Sequence, residues 1–383
     1  MKRIFTLLFI ASALASCTSS ISLQVLKPAD VTLPQDIQKF TLVNRTKPSK
    51  NNQAWNIIEG VLTGEGIFAD REGADNCLSG LMSIMQQTPR YTINQASVEF
   101  KGTGTDAFAM PLSWTEVENL CRQNNSEALI VLEAFDSDSR INTESKPVQT
   151  QSPAYYCWDK NKNRIKDAAE DVNKDGKWDN SDCPEGSPAT IPGETVTSTQ
   201  FYSHARMEVK SGWRIYFPKD KRIIDENRFS DFLSFEGQGE TPERAAASLP
   251  NKRECIKKTG YHAGTVYGYR ISPQWILVSR YFYTRGSDYL KIAGKKARKI
   301  NDWNGAMAIW KKEALNANPK IAWKANYNMA LACEREGNLE LALEWAKKAF
   351  SIRQKSAAAS YVNILKGRIA EQKRADEQMK GKQ

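Results

Sequence analysis

Residues 112–139 read LSWTEVENLCRQNNSEALIVLEAFDSDS. Ser113 stands three residues before Glu116, the spacing of a capping box at a helix start. The helix it opens sets Trp114, Val117, Leu120 and Cys121 on one face. Ala128 to Phe135 then form a nearly unbroken apolar run, the pattern of a strand covered on both faces. The same order recurs upstream. IQKFTLVNRT (37–46) reads as a strand with Phe40, Leu42 and Val43 at its core, and NCLSGLMSIMQQTPRYTI (76–93) as a helix followed by a strand. Leu78, Leu81, Met82 and Met85 share one side of that helix, which Pro89 ends. Alternating strands and helices predict an α+β (or α/β) fold, a mixed sheet with helices packed on it.

Downstream, FYSHARMEVKSGWRIYFPKDKRIIDE (201–226) alternates apolar and polar residues around two turn signals, as successive antiparallel strands do. PERAAASLPNKRECIKKTG (242–260) reads as helix broken at Pro250, and PQWILVSRYFYTRG (273–286) as one more strand of the same sheet. Between the halves lies a polar stretch too long for an ordinary loop, so it must be functional, disordered or held by something. From Asp288 the periodicity is helical alone. Asn326, Met329, Ala330, Cys333, Gly337, Leu339, Ala342, Ala346 and Ala349 match the small-large spacing of a tetratricopeptide repeat. Gly294, Trp303, Ala306 and Trp310 begin a second match. Two units are fewer than an independent solenoid needs, so a helical cap packed on the sheet domain competes with a binding groove. In the groove reading, Trp303, Trp310, Trp323, Lys324 and Tyr327 meet a protein partner.

The first residues, MKRIFTLLFIASALASC, carry a basic start, a short apolar core and small residues before Cys17. That is an export signal, too short to span a bilayer. Leu14-Ala15-Ser16-Cys17 resembles the bacterial lipobox, which implies cleavage before Cys17 and anchoring by acyl chains on it. Thr18 in place of Asp implies the outer membrane, and the absence of acidic residues after it favours the periplasmic side. The expected division is therefore a signal peptide (1–16), a lipidated tether (17–35), the first part of the sheet domain (36–136), a polar insertion (137–200), the second part (201–287), and a helical region with a basic tail (288–383).

The net charge of +10 is concentrated at the end. Residues 285–383 hold about 21 Lys and Arg against about 10 acids, on helices of an exported chain, which argues for a solvated face and against nucleic acid. There is no P-loop, GxSxG or HExxH, and His204 and His262 have no nucleophile or metal motif beside them. No enzyme is expected.

DVNKDGKWDNSD (171–182) is the exception to this chemical silence. Asp171, Asn173, Asp175, the carbonyl of Lys177, Asp179 and Asp182 occupy positions 1, 3, 5, 7, 9 and 12 of an EF-type loop, with Gly176 at its sharp turn. Asp at position 12 resembles dockerin and thrombospondin type 3 loops, which implies structural calcium. Immediately upstream, Asp159, Asn161, Asn163, the carbonyl of Ile165, Asp167 and Glu170 repeat the grammar, with Arg164 in place of glycine and Lys160, Lys162 and Lys166 offsetting the charge. Cys157 and Cys183 bracket both segments, and their pairing would close the loop. Trp158 and Trp178 would cover it.

Together, the lipobox, LVNRT (42–46), SGWRIYFPKDKRIIDE (211–226), YGYRISPQWILVSRYFYTRG (267–286) and the terminal helices resemble an uncharacterised lipoprotein family of Bacteroides-like bacteria. The resemblance implies this architecture and an envelope location, and names no activity. The function expected is a non-enzymatic, lipid-anchored envelope scaffold or adaptor with a calcium-stiffened insertion and helical repeats for a protein partner. The competing expectation is a calcium-dependent glycan-binding protein or envelope hydrolase.

Overall fold

Ala128 to Leu132 are fully buried, because helices cover this run from both sides. The computed structural model describes residues 18–48, 66–97, 100–102, 107–151, 154–162, 166, 169–174, 176–185, 187–191 and 193–380. Its longer strands are β1 (Thr18–Lys27), β2 (Lys39–Asn44), β3 (Thr92–Gln95), β4 (Ala128–Gln151), β5 (Thr195–Phe217), β6 (Arg222–Gly239) and β7 (Gln274–Tyr283). Its helices are α1 (Gly66–Met85), α2 (Trp114–Gln123), α3 (Pro242–Ala247), α4 (Lys252–Ile271), α5 (Asp288–Lys299), α6 (Trp303–Glu313), α7 (Pro319–Arg335), α8 (Leu339–Ile352) and α9 (Ser356–Met379). The fold is α+β, with an all-helical C-terminal region. Among the described residues no helix is long and apolar enough to cross a membrane.

The main sheet has the order β3-β2-β4-β5-β6, parallel from β3 to β4 and antiparallel beyond. From β2 the chain steps outward to β3 through α1, then back across β2 to β4 through α2. Right-handed crossovers taken in opposite directions put their helices on opposite faces. Accordingly, Leu78, Leu81 and Met85 of α1 join Ile130, Leu132 and Trp213, while Val117, Leu120 and Cys121 of α2 join Leu129, Val131 and Tyr216. The capping box forms as expected, with the Glu116 N–H donating to Ser113 Oγ at 3.3 Å and the Ser113 N–H to Glu116 Oε2 at 2.9 Å. Helix α4 lies directly on α1. A Cβ at Gly264 would fall 1.8 Å from the Cys77 carbonyl oxygen, so the two backbones approach as only glycine permits.

The stretch 137–200, expected as a polar interruption, begins and ends as strand, at 137–151 and 195–200. β4 and β5 stay paired from Leu129 and Tyr216 out to Gln151 and Thr195, and β6 accompanies β5 as far as Gly239 opposite Phe201. Past Phe135 this makes an arm roughly 50 Å long at the rise of an extended strand. Its outer part is solvated on both faces, so no alternation of apolar and polar residues marks it in the sequence.

Two boundaries also differ from expectation. β7 is not a strand of the main sheet; it pairs antiparallel with β1, Thr18 opposite Tyr283 and Lys27 opposite Gln274. From Thr18 onward, then, the residues expected as a tether are structured. Just past β1, the Gln378 side chain of α9 bonds both the N–H and the carbonyl of Ala29, at 2.8 and 3.1 Å, and within β1 the Leu26 carbonyl accepts from Arg368 at 3.2 Å. The ribbon packs into the helical region, where Leu23, Val25 and Phe282 share a core with Trp303, Trp310, Tyr327 and Tyr361. The repeat-like small residues Ala306, Ala330, Ala342, Ala346 and Ala349 are fully buried between helices. Cys17 lies outside the described residues.

Candidate functional site

At the end of the arm, Cys157 and Cys183 form a disulfide with Cα atoms 5.2 Å apart. A short bridge, Tyr155 opposite Ile191, closes the neck, and buried Trp158 stacks on Tyr156 at 5.3 Å. Within the loop, Gly176 has φ +77°, the left-handed conformation that position 6 requires. Its N–H donates to Asp171 Oδ2 at 2.9 Å, which ties position 6 to position 1. Asp182, 2% exposed, accepts from the N–H groups of Val172 (2.8 Å) and Asp179 (3.2 Å), which folds position 12 back onto the start of the loop. Asp179 accepts from the Ser181 N–H and hydroxyl, which hold its carboxyl below the usual range. Asn173 donates to Ser181 Oγ at 2.7 Å, and Lys177 is exposed. Asp175 lies outside the described residues.

In the upstream segment Asp159 and Glu170, positions 1 and 12, are both buried. Glu170 Oε1 accepts from the Asn161 N–H at 3.1 Å, while Oε2 is buried with no hydrogen-bond donor among the described residues. Such an oxygen suits a cation neighbour. Asn163, Ile165 and Asp167 lie outside the described residues. Lys162 pairs with Glu194, and Lys166 lies over the Trp178 ring. Among the described residues no three His, Cys, Asp or Glu side chains converge to hold a metal. The fit to calcium rests on loop grammar, the Gly176 turn and the Glu170 oxygen.

The groove expected on the helical repeats is filled by the chain itself. Trp303, Trp310, Trp323 and Tyr327 are buried, and β7 supplies what covers them. Phe282 packs edge-on against Trp303 and Trp310, both at 5.8 Å, and Tyr283 meets Trp323 at 4.8 Å and Tyr327 at 5.2 Å. Asn328 of α7 bonds the N–H and the carbonyl of Tyr283, each at 2.7 Å, as a neighbouring strand would. Lys324 donates to the Arg285 carbonyl at 2.9 Å. Burial pushes the Tyr283 hydroxyl up to about 12. Aromatic residues at helical spacing look alike whether a groove awaits a partner or is filled in cis, and here it is filled.

A buried cluster that the sequence reading missed lies on the α2 face. Glu133, fully buried at a bulge in β4, pairs with Arg45 at 3.0 Å and Arg214 at 3.3 Å and accepts from the Tyr216 hydroxyl at 2.8 Å. Arg45 also donates to the Met110 carbonyl and Arg214 to that of Ala109, so the cations are consumed in holding the 107–112 segment against the sheet. Its sequence signal was one acid inside an apolar run. Asp225 is clamped likewise by Tyr267 (3.1 Å) and by Arg270 (3.0 Å), joining β6 to α4. LVNRT, SGWRIYFPKDKRIIDE and YGYRISPQ therefore meet as structural clamps. Elsewhere, burial pushes the thiols of Cys121 and Cys333 up to about 11, which suppresses nucleophilic thiolate. His204 sits on the arm 3.4 Å from Glu144 and 3.6 Å from Glu236.

Residues 37–283 match the family model described as Domain of unknown function (DUF8603), and residues 291–367 match Domain of unknown function (DUF6340). The first match ends at Tyr283, the last residue of β7, although that strand packs on the helices of the second. No curated protein matches the chain. With well over half of its length matched by one model, the chain belongs to the DUF8603 family, with a DUF6340 region after it.

Proposed function

We propose that the chain is a non-enzymatic, lipid-anchored scaffold of the bacterial cell envelope that presents the calcium-stiffened tip of its arm to a protein partner. The observation that carries this reading is the arm itself. A ribbon continuously paired to Gln151 and Thr195 ends in a disulfide-closed module that contributes nothing to either core. Long solvated ribbons cost conformational entropy without burying apolar area, so retaining one favours a role at its end. The groove filled by β7 shifts the expected partner surface from the helical repeats to this tip. Outer-membrane placement rests on the lipobox reading of Cys17 together with Thr18 in place of Asp after it.

The test is a photocrosslinking residue at Tyr156, 57% exposed beside the loop module, in the acylated protein in cells. A discrete adduct is expected, lost on calcium chelation and in the Asp171→Ala/Gly176→Val variant. Absence of any adduct, or one indifferent to both changes, overturns the reading. Tyr156 also gives the glycan-binding alternative its one support, as an exposed ring on the arm tip; an adduct with polysaccharide in place of protein would favour it.

A further inference from the structure

We propose that the cavity at the start of β1 binds the phosphate of an anionic lipid head group. The cavity, of about 830 Å³, lies between the first residues of β1, the turn after β7 and helix α5. Thr18 and Ser19 form one wall; Arg285, Lys291, Lys295 and Arg298 bring four cations to it, against the single carboxylate of Asp288. Lys291, Lys295 and Arg298 stand at i, i+4 and i+7, one above another on the same helix face. Among the described residues none of these four cations makes an ion pair, whereas Lys296 of the same helix does so with Asp302 at 2.7 Å. Four like charges around one cavity repel one another until an anion enters, and guanidinium and ammonium groups together suit a phosphate.

The position selects the source of that phosphate. Thr18 is fixed opposite Tyr283, so an acylated Cys17 enters the bilayer one residue, about 3.8 Å, from the cavity wall. Tyr289 and Ile292, 61% and 46% exposed on α5, add the aromatic and aliphatic groups favoured at a membrane interface. The inference rests on the reading of Cys17 as the anchor.

The test uses the chain from residue 17 with Cys17→Ser, which keeps every described contact and carries no acyl group. Its partition onto vesicles of phosphatidylcholine is compared with that onto an equal mixture with phosphatidylglycerol. Preference for the mixture is expected, with an affinity loss of about fivefold per cation removed in Lys291→Gln/Lys295→Gln. The control Lys347→Gln/Lys366→Gln, with the same change in net charge on exposed residues, should lose less than about twofold. Equal losses in the two pairs, or no preference for the anionic vesicles, overturn the proposal. Calorimetry with inorganic phosphate separates the sources: phosphate binding lost in Lys291→Gln/Lys295→Gln without vesicle preference would make this a free-anion site. Palmitate labelling of the full chain, abolished by Cys17→Ala, tests the anchor separately.

Discussion

Arg280 of β7 holds Glu334 of α7 in a forked ion pair, Nη2 to Oε1 at 3.0 Å and Nε to Oε2 at 3.1 Å. Glu334 is almost wholly buried and also accepts from the Tyr361 hydroxyl of α9 at 2.7 Å. One carboxylate thus joins the ribbon to two helices. Arg280→Ala leaves that charge buried with only the tyrosine, and should destabilise the chain by about 3–5 kcal/mol, measured by urea unfolding. A loss below about 1 kcal/mol would mean that the ribbon is held without this ion pair, by its aromatic contacts and its hydrogen bonds to Asn328 and Arg368.

Gly264→Val should be as damaging at the α1–α4 contact. The added side chain would occupy the position of the Cys77 carbonyl, and over-packing of this kind costs about 1–3 kcal/mol or more. A melting temperature within error of the parent would show that the helices can separate freely.

Asp70 of α1 gives the chain a pH signature. Burial and nearby Asp136 raise its carboxyl from 3.8 to about 6, against the opposing hydrogen bond from Ser137. A group whose folded value is raised binds its proton more tightly in the native state, so its contribution is complete below about pH 4 and is lost as pH rises to about 6. Allowing for its partial exposure, the loss is about 1–2 kcal/mol. Asp70→Asn should flatten this slope; identical slopes in the two proteins would refute the assignment.

Removal of the disulfide with Cys157→Ser/Cys183→Ser should act at the tip only. Closure of this loop contributes about 3 kcal/mol on the chain-entropy model. Proteolysis between 157 and 195 should therefore accelerate by about a hundredfold, while the unfolding midpoint of the core, followed by Trp213, stays unchanged. A matching shift of both would show that the tip is coupled to the sheet.

Local signals in the sequence determined much of this chain. The capping box at Ser113, the doubly buried run from Ala128 and the small-residue spacing in α7 and α8 each depend on near neighbours, and each appears as read, while the helix before Pro89 ends four residues short of it, at Met85. The bracketing of two acidic segments by Cys157 and Cys183 likewise announced their pairing. Tertiary structure alone decided what partners those elements take. β7 carries the same alternation whether it extends the main sheet or lies in the helical groove, and only its pairing with β1, Thr18 opposite Tyr283 across 265 residues of chain, selects the groove. The arm was hidden for the opposite reason. Solvent covers both faces of its outer part, where the strands are specified by long-range backbone hydrogen bonds and leave no apolar period to read, while the inner part, with Met207 and Val209 buried, keeps its alternation. Glu133, Arg45 and Arg214 show the same division: an isolated acid in an apolar run predicts a buried charge, but which cations balance it is settled only when three distant segments meet.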